Sequence, residues 1–131
     1  MKSSTLRPFI VGGLFLTGLF VLIGFVVVSV HGSVNPGQLP LAITIKAKDV
    51  QFDMDTITAR VGQPVTIRLE NNDDMDHAFT IDELNVQSAV IGPRHVTTVS
   101  FTPAQAGTYH FYCPMPGHAG LGMVGTLQVI P

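Results

Sequence analysis

The chain has 131 residues, 46% of them hydrophobic and only 12% charged, with a formal net charge of −2. That length bounds it to about one folded domain, and a mildly acidic balance excludes the basic face that nucleic-acid binding requires, so no nucleic-acid partner is expected. The single cysteine, Cys113, excludes an internal disulfide and needs another reason to be present.

The charges are unevenly spread. Residues 1–8 contain Lys2 and Arg7, Phe9 to Val30 carries no charge, and the next basic residue is Lys46. The uncharged stretch, 9–30, is long enough to cross a hydrocarbon core of about 30 Å as a helix. The positive-inside tendency keeps residues 1–8 in the cytoplasm and sends the rest outward, so a single-pass protein of a prokaryotic cytoplasmic membrane is expected, its soluble part on the outer or periplasmic side. A cleaved signal peptide is the alternative, with Val30-His31-Gly32 as a tolerable cleavage site; the apolar run exceeds the roughly 7–15 residues of a signal h-region, which favours retention as an anchor. Residues 31–40 (HGSVNPGQLP) have no apolar period and read as a short tether to a folded domain over 41–131.

From Leu41 onward the signals are those of short strands rich in Val, Ile, Thr and Phe, separated by turn residues. Leu41, Ile43 and Ile45 alternate with smaller or polar positions. Val50 to Phe52 and Thr56 to Ala59 are brief strands around a turn, and Gly62-Gln63-Pro64 forms another turn. Val65, Ile67 and Leu69 give the clearest alternation, with Thr66, Arg68 and Glu70 facing out. The polar run Asn71 to Asp76 ends that strand, and its acids read as a solvated turn or as a docking patch for a positively charged partner. Ala78 to Ile81 begins a new strand, Asp82 to Gln87 a loop or helical turn, and Val96 to Phe101, Thr108 to Cys113 and Val124 to Ile130 are further strands. With no convincing amphipathic helix in this region, the pattern indicates an all-β sandwich.

The last two of these strands flank the run FYCPMPGHAGLGM, Phe111 to Met123. It gathers a thiolate, an imidazole and a thioether, with Pro114, Pro116 and Gly117 forcing a stiff loop between Cys113 and His118. A soft thiolate, imidazole and a weak axial thioether suit copper in both oxidation states, and two His with one Cys and a long Met contact form the blue-copper arrangement. The loop lacks one His. His77, which opens HAFTI after the polar run, is the best candidate for it, so the expected metal site is His77, Cys113, His118 and Met123. Zinc is disfavoured because structural zinc prefers closed sets of Cys and His.

On these residues the chain resembles the cupredoxins, in particular small blue copper proteins of the rusticyanin and auracyanin kind. The resemblance rests on CPMPGHAGLGM followed by VGTLQV, on NNDDMDHAF, and on IGPRHVTTVSFTPAQAGTYHFY. It implies a Greek-key sandwich of about seven or eight strands with one type 1 copper ion at one end. It also implies that electrons leave by the edge of the downstream ligand, His118, amid Pro114, Met115, Pro116 and Leu121. Redox partners such as c-type cytochromes or membrane respiratory or photosynthetic complexes are expected, and no enzymatic activity. A copper-handling protein that delivers the metal, for instance during oxidase assembly, is the alternative. The two-copper centre of oxidase subunit II needs two cysteines and is unavailable to this chain.

Other residues near the motif are assigned no ligand role. His110, three residues before Cys113 on one strand, should face away from it. His95 reads as exposed, and Met54 and Met75 as packing or surface residues. Many cupredoxins place Asn or Ser directly after the upstream His to tie the ligand loops together. Here Ala78 stands there, leaving Asn71, Asn72 or a backbone amide to take over that task.

Overall fold

The computed structural model describes residues 38–131; the uncharged segment 9–30 lies outside the described residues. Among the described residues no helix is long and apolar enough to cross a membrane. Nine strands form among the described residues: β1 (Leu41–Lys48), β2 (Gln51–Phe52), β3 (Thr56–Arg60), β4 (Val65–Asn71), β5 (Thr80–Ile81), β6 (Val86–Gln87), β7 (Val96–Phe101), β8 (Gly107–Tyr112) and β9 (Val124–Ile130). One sheet has the order β2-β1-β4-β7 and the other β3-β9-β8-β5-β6. The count exceeds the expected seven or eight because Asp82 to Gln87 divides into a 3-10 turn, Asp82–Leu84, and the two-residue strand β6.

Both sheets are mixed. β1 runs parallel to β4 from Leu41↔Val65 to Ala47↔Asn71, and β3 runs parallel to β9 from Thr56↔Thr126 to Arg60↔Ile130. β4 with β7, and β8 with β9, pair antiparallel. Because side chains alternate across a pleated strand, the apolar positions of β4 turn inward together, and Val65, Ile67 and Leu69 are all buried. They share a core with Ile45 and Ala47 of β1, Ile57 and Ala59 of β3, and Leu127 and Val129 of β9. Full burial of each large aliphatic chain stabilises the sandwich by about 1.5–3 kcal/mol relative to leaving it in water.

The β1–β2 hairpin turns through Asp49 and Val50, both at positive φ (53° and 57°). Two-residue hairpins favour such turns because their twist matches that of the strands, but the usual occupants are Asn-Gly or Asp-Gly. A β-branched residue in the left-handed region is strained by roughly 1–3 kcal/mol. Val50 is held there by packing against the core and by its amide, which donates to Asp73 Oδ2 at 3.1 Å.

Candidate metal centre

His77 lies between β4 and β5, fixed by a two-way backbone bridge to Ile91: His77 N–H donates to Ile91 O (3.0 Å) and Ile91 N–H to His77 O (2.9 Å). The polar run before it folds around Asn71. The Asn71 amide donates to Met75 O (2.7 Å) and Ile91 O (3.0 Å), and its carbonyl accepts the Asp73 N–H at 2.8 Å. Asn71 thereby shapes the loop carrying the upstream His, although these bonds do not reach the downstream ligand loop.

Cys113 follows β8, where strict alternation sends Phe111 and Cys113 into the core and His110 outward. Beyond Cys113 the chain doubles back through a 3-10 turn, Ala119–Leu121, entered and left through Gly117 (φ 81°) and Gly122 (φ 98°). These two positions call for glycine, since other residues reach such φ values only with strain. The loop closes on itself: Met123 N–H donates to His118 O (3.0 Å), and Cys113 N–H to Met123 O (3.1 Å).

These elements bring together His77 and Cys113, both fully buried, and His118, which is partly exposed. One potential ligand atom from each lies within 4.8 Å of the others. Cys113 Sγ is 3.8 Å from His77 Nδ1 and 3.5 Å from His118 Nδ1, and the two imidazole rings are 5.0 Å apart. Metal–sulfur and metal–nitrogen bonds of about 2.3 and 2.0–2.1 Å, set 120° apart, put the two donors about 3.8 Å from each other. The spacing therefore fits one trigonally bound ion. Among the described residues this is the only such cluster of His, Cys, Asp and Glu. One soft sulfur with two imidazoles matches copper better than the closed Cys and His sets of structural zinc. Met123 is fully buried and joined to both Cys113 and His118 by its backbone.

One partner of the site escaped the sequence reading. Asp73 is not simply part of a solvated turn: its side chain is 12% exposed, and Oδ2 lies 3.1 Å from His77 Nε2. Its carboxyl is lowered from 3.8 to about 2, chiefly by the Val50 N–H, with the Asp74 N–H and the His77 ring adding to the effect and burial opposing it. The available signal was the i, i+4 spacing of Asp73 and His77, which is uninformative without knowing that the loop coils. Asp74 and Asp76 are exposed, and Asp74 pairs with Arg94 at 3.2 Å.

Among the described residues the other histidines, His95 and His110, stay away from the cluster. His110 points outward and lies 3.3 Å from Glu83 Oε1, while exposed His95 has Nδ1 2.9 Å from Pro93 O. Among the described residues two methionines lie outside the motif: Met75 is exposed, and Met54 packs at the margin of the core.

A two-sheet sandwich with a Cys and two His converging at the ends of its strands defines a small metal-binding β-protein. Residues 19–124 match the family described as the cupredoxin-like domain, and the chain belongs to that family. Among curated proteins, auracyanin-A of Chloroflexus aurantiacus is 28% identical over 123 residues, spanning 71% of this chain and 75% of that protein. The solved structure of auracyanin A from the same organism, described as a "blue" copper protein, aligns with a TM-score of 0.63 at 28% identity, covering 70% of this chain and 99% of that one. Dithionite-reduced auracyanin from Roseiflexus castenholzii aligns with a TM-score of 0.61 at 25% identity, over 69% and 97% of the two chains. Auracyanin B, 20% identical with a TM-score of 0.62 over 72% and 92%, shares the fold.

Proposed function

We propose that this protein is a membrane-anchored mononuclear blue copper protein that carries single electrons between membrane-associated redox partners, with His77, Cys113 and His118 as equatorial ligands and Met123 as the axial one. It is an electron carrier and not an enzyme. The observation that carries this reading is the convergence of two imidazoles and one thiol, from loops 36 residues apart in the chain, within 4.8 Å at a largely buried site. One bound copper ion would supply the one-electron couple. The protein's part is to hold the donors so that little rearranges between oxidation states. His77 is clamped by its bridge to Ile91, and the downstream loop is pinned by Cys113 N–H to Met123 O. His118 is the least buried of the three donors, on a loop with exposed Pro116 and Leu121, the latter 68% accessible. That apolar rim suits brief docking of a partner such as a c-type cytochrome or a membrane complex.

Residues 9–30 would anchor the protein with the domain on the outer side of the membrane, the tether 31–40 keeping it near membrane-bound partners. The domain proper would span 41–131.

Loading purified protein with Cu(II) tests the reading. An intense visible charge-transfer band and narrow copper hyperfine splitting are expected. Cys113→Ser should abolish the colour, and Met123→Leu should retain it while raising the reduction potential. A colourless Cu(II) product, with Cu(I) bound and readily exchanged, would instead favour copper delivery.

A further inference from the structure

We infer that Asp73 is a positioning residue of the metal centre: its carboxylate orients the His77 ring and sets a fixed negative charge behind it, favouring the more highly charged oxidation state of the bound metal. This rests on the copper reading above but is separable from it by experiment.

The geometry is specific. Oδ2 of Asp73 faces His77 Nε2 at 3.1 Å and also accepts the Val50 N–H at 3.1 Å, while Oδ1 accepts the Asp74 N–H at 2.7 Å. The Asp73 amide itself donates to Asn71 Oδ1, so both ends of the residue are tied. An ionised carboxylate only accepts hydrogen bonds, which makes His77 Nε2 the protonated nitrogen and leaves the Nδ1 lone pair directed to the side where Cys113 Sγ lies, 3.8 Å away. His77 has no contact with solvent, so water cannot replace this partner. With Ala78 following His77, the neighbouring side chain has no polar group to steady the ring.

The β1–β2 turn supports this arrangement from outside the ligand loops. Val50 occupies the left-handed region, which disfavours a β-branched side chain, and from there its amide reaches Asp73. Backbone strain of this kind persists where surrounding structure imposes it, often beside functional groups. A carboxylate hydrogen-bonded to the far nitrogen of a metal-binding imidazole fixes the ring and raises its basicity as a ligand. The added negative charge, largely shielded from water, favours Cu(II) over Cu(I).

The test compares the full chain with Asp73→Asn, which keeps an acceptor oxygen and removes the charge, and with Asp73→Ala, which removes both. Three quantities are measured: Co(II) affinity, the ratio of Cu(II) to Cu(I) affinity, and unfolding by denaturant. In both variants Co(II) affinity should fall, by about 10–100-fold in Asp73→Ala. The Cu(II) to Cu(I) ratio should fall in both, so the reduction potential rises. A purely structural role for Asp73 predicts lower stability with the Co(II) affinity and copper ratio unchanged, and that result in Asp73→Asn would overturn the inference. If Asp73→Ala does not fold, the near-isosteric Asp73→Asn decides alone. A wild-type chain that binds Co(II) yet gives no Cu(II) charge-transfer band would sink the copper reading, while the Co(II) comparison would still decide the role of Asp73.

Discussion

Two single residues decide how well the ligand loops are held. Asn71, buried at the end of β4, satisfies two backbone carbonyls and one amide in the loop leading to His77. Asn71→Ala removes the partner of Met75 O and of the Asp73 N–H, while Ile91 O keeps the His77 N–H, and unmade buried hydrogen bonds cost about 1–3 kcal/mol; urea unfolding should show the midpoint lowered with the slope unchanged. Gly125 meets a different constraint. A Cβ there would collide with the Phe111 ring and come within 2.8 Å of Asp55 O. Gly125→Ala is therefore expected to destabilise the fold by about 1–3 kcal/mol, read from thermal or denaturant unfolding, through overpacking against a ring two residues from Cys113. The need for Asn71 had a sequence signal, since a polar side chain ending an apolar strand suggests a turn partner. The need for Gly125 had none, because the clash arises from β8 lying beside β9.

At the scale of elements, the segments carrying His77 and Cys113 are coupled by aromatic packing. Phe79, two residues after His77, stacks on Phe111, two residues before Cys113, with ring centroids 5.1 Å apart, and Phe52 of β2 packs against both. This cluster links the ligand-bearing segments through the core, a connection that Ala78 cannot supply by hydrogen bonding. The opposite face of β8 is polar. His110 lies against Glu83, and Tyr112 donates to Asp82 at 2.8 Å, fastening the 3-10 turn Asp82–Leu84 to the strand. Glu83 is lowered below its ordinary 4.5, first by a hydrogen bond from its own backbone amide and further by the His110 amide and ring. A lowered carboxyl contributes stability that is complete above 4.5 and is lost as pH falls through the lower folded-state value. Solvent screening limits such a surface contribution to roughly 0.2–1 kcal/mol. Glu83→Gln should therefore flatten the acid limb of the stability curve while leaving stability near neutrality slightly reduced, measured by denaturant midpoints between pH 6 and pH 3.

For the whole molecule, the sandwich is a frame that brings two loops to one end, and metal binding should in turn stabilise the frame. A ligand that binds the folded chain at a hundredfold excess over Kd stabilises it by about 2.7 kcal/mol. A fragment spanning residues 38–131 should take up Cu(II) with the full chain's spectrum and melt at a higher temperature with metal than without; a fragment that fails to fold would mean that the domain draws on residues before 38. The strand positions were legible because alternation at Val65, Ile67 and Leu69 reports a half-buried strand wherever its partners lie. Three candidate donors were legible too, since Cys113 and His118 sit in one stiff loop, and His77 was the histidine best placed to join them. Pairing was not. The parallel union of β1 with β4 and of β3 with β9, the packing of Phe79 on Phe111, and the approach of the Val50 amide to Asp73 all join residues distant in the chain. Local sequence determines which residue types can form a strand, a turn or a ligand, because those preferences act over a few bonds. Which carboxylate stands behind His77 depends on how its own loop coils and meets the β1–β2 turn, and only the folded tertiary structure decided that.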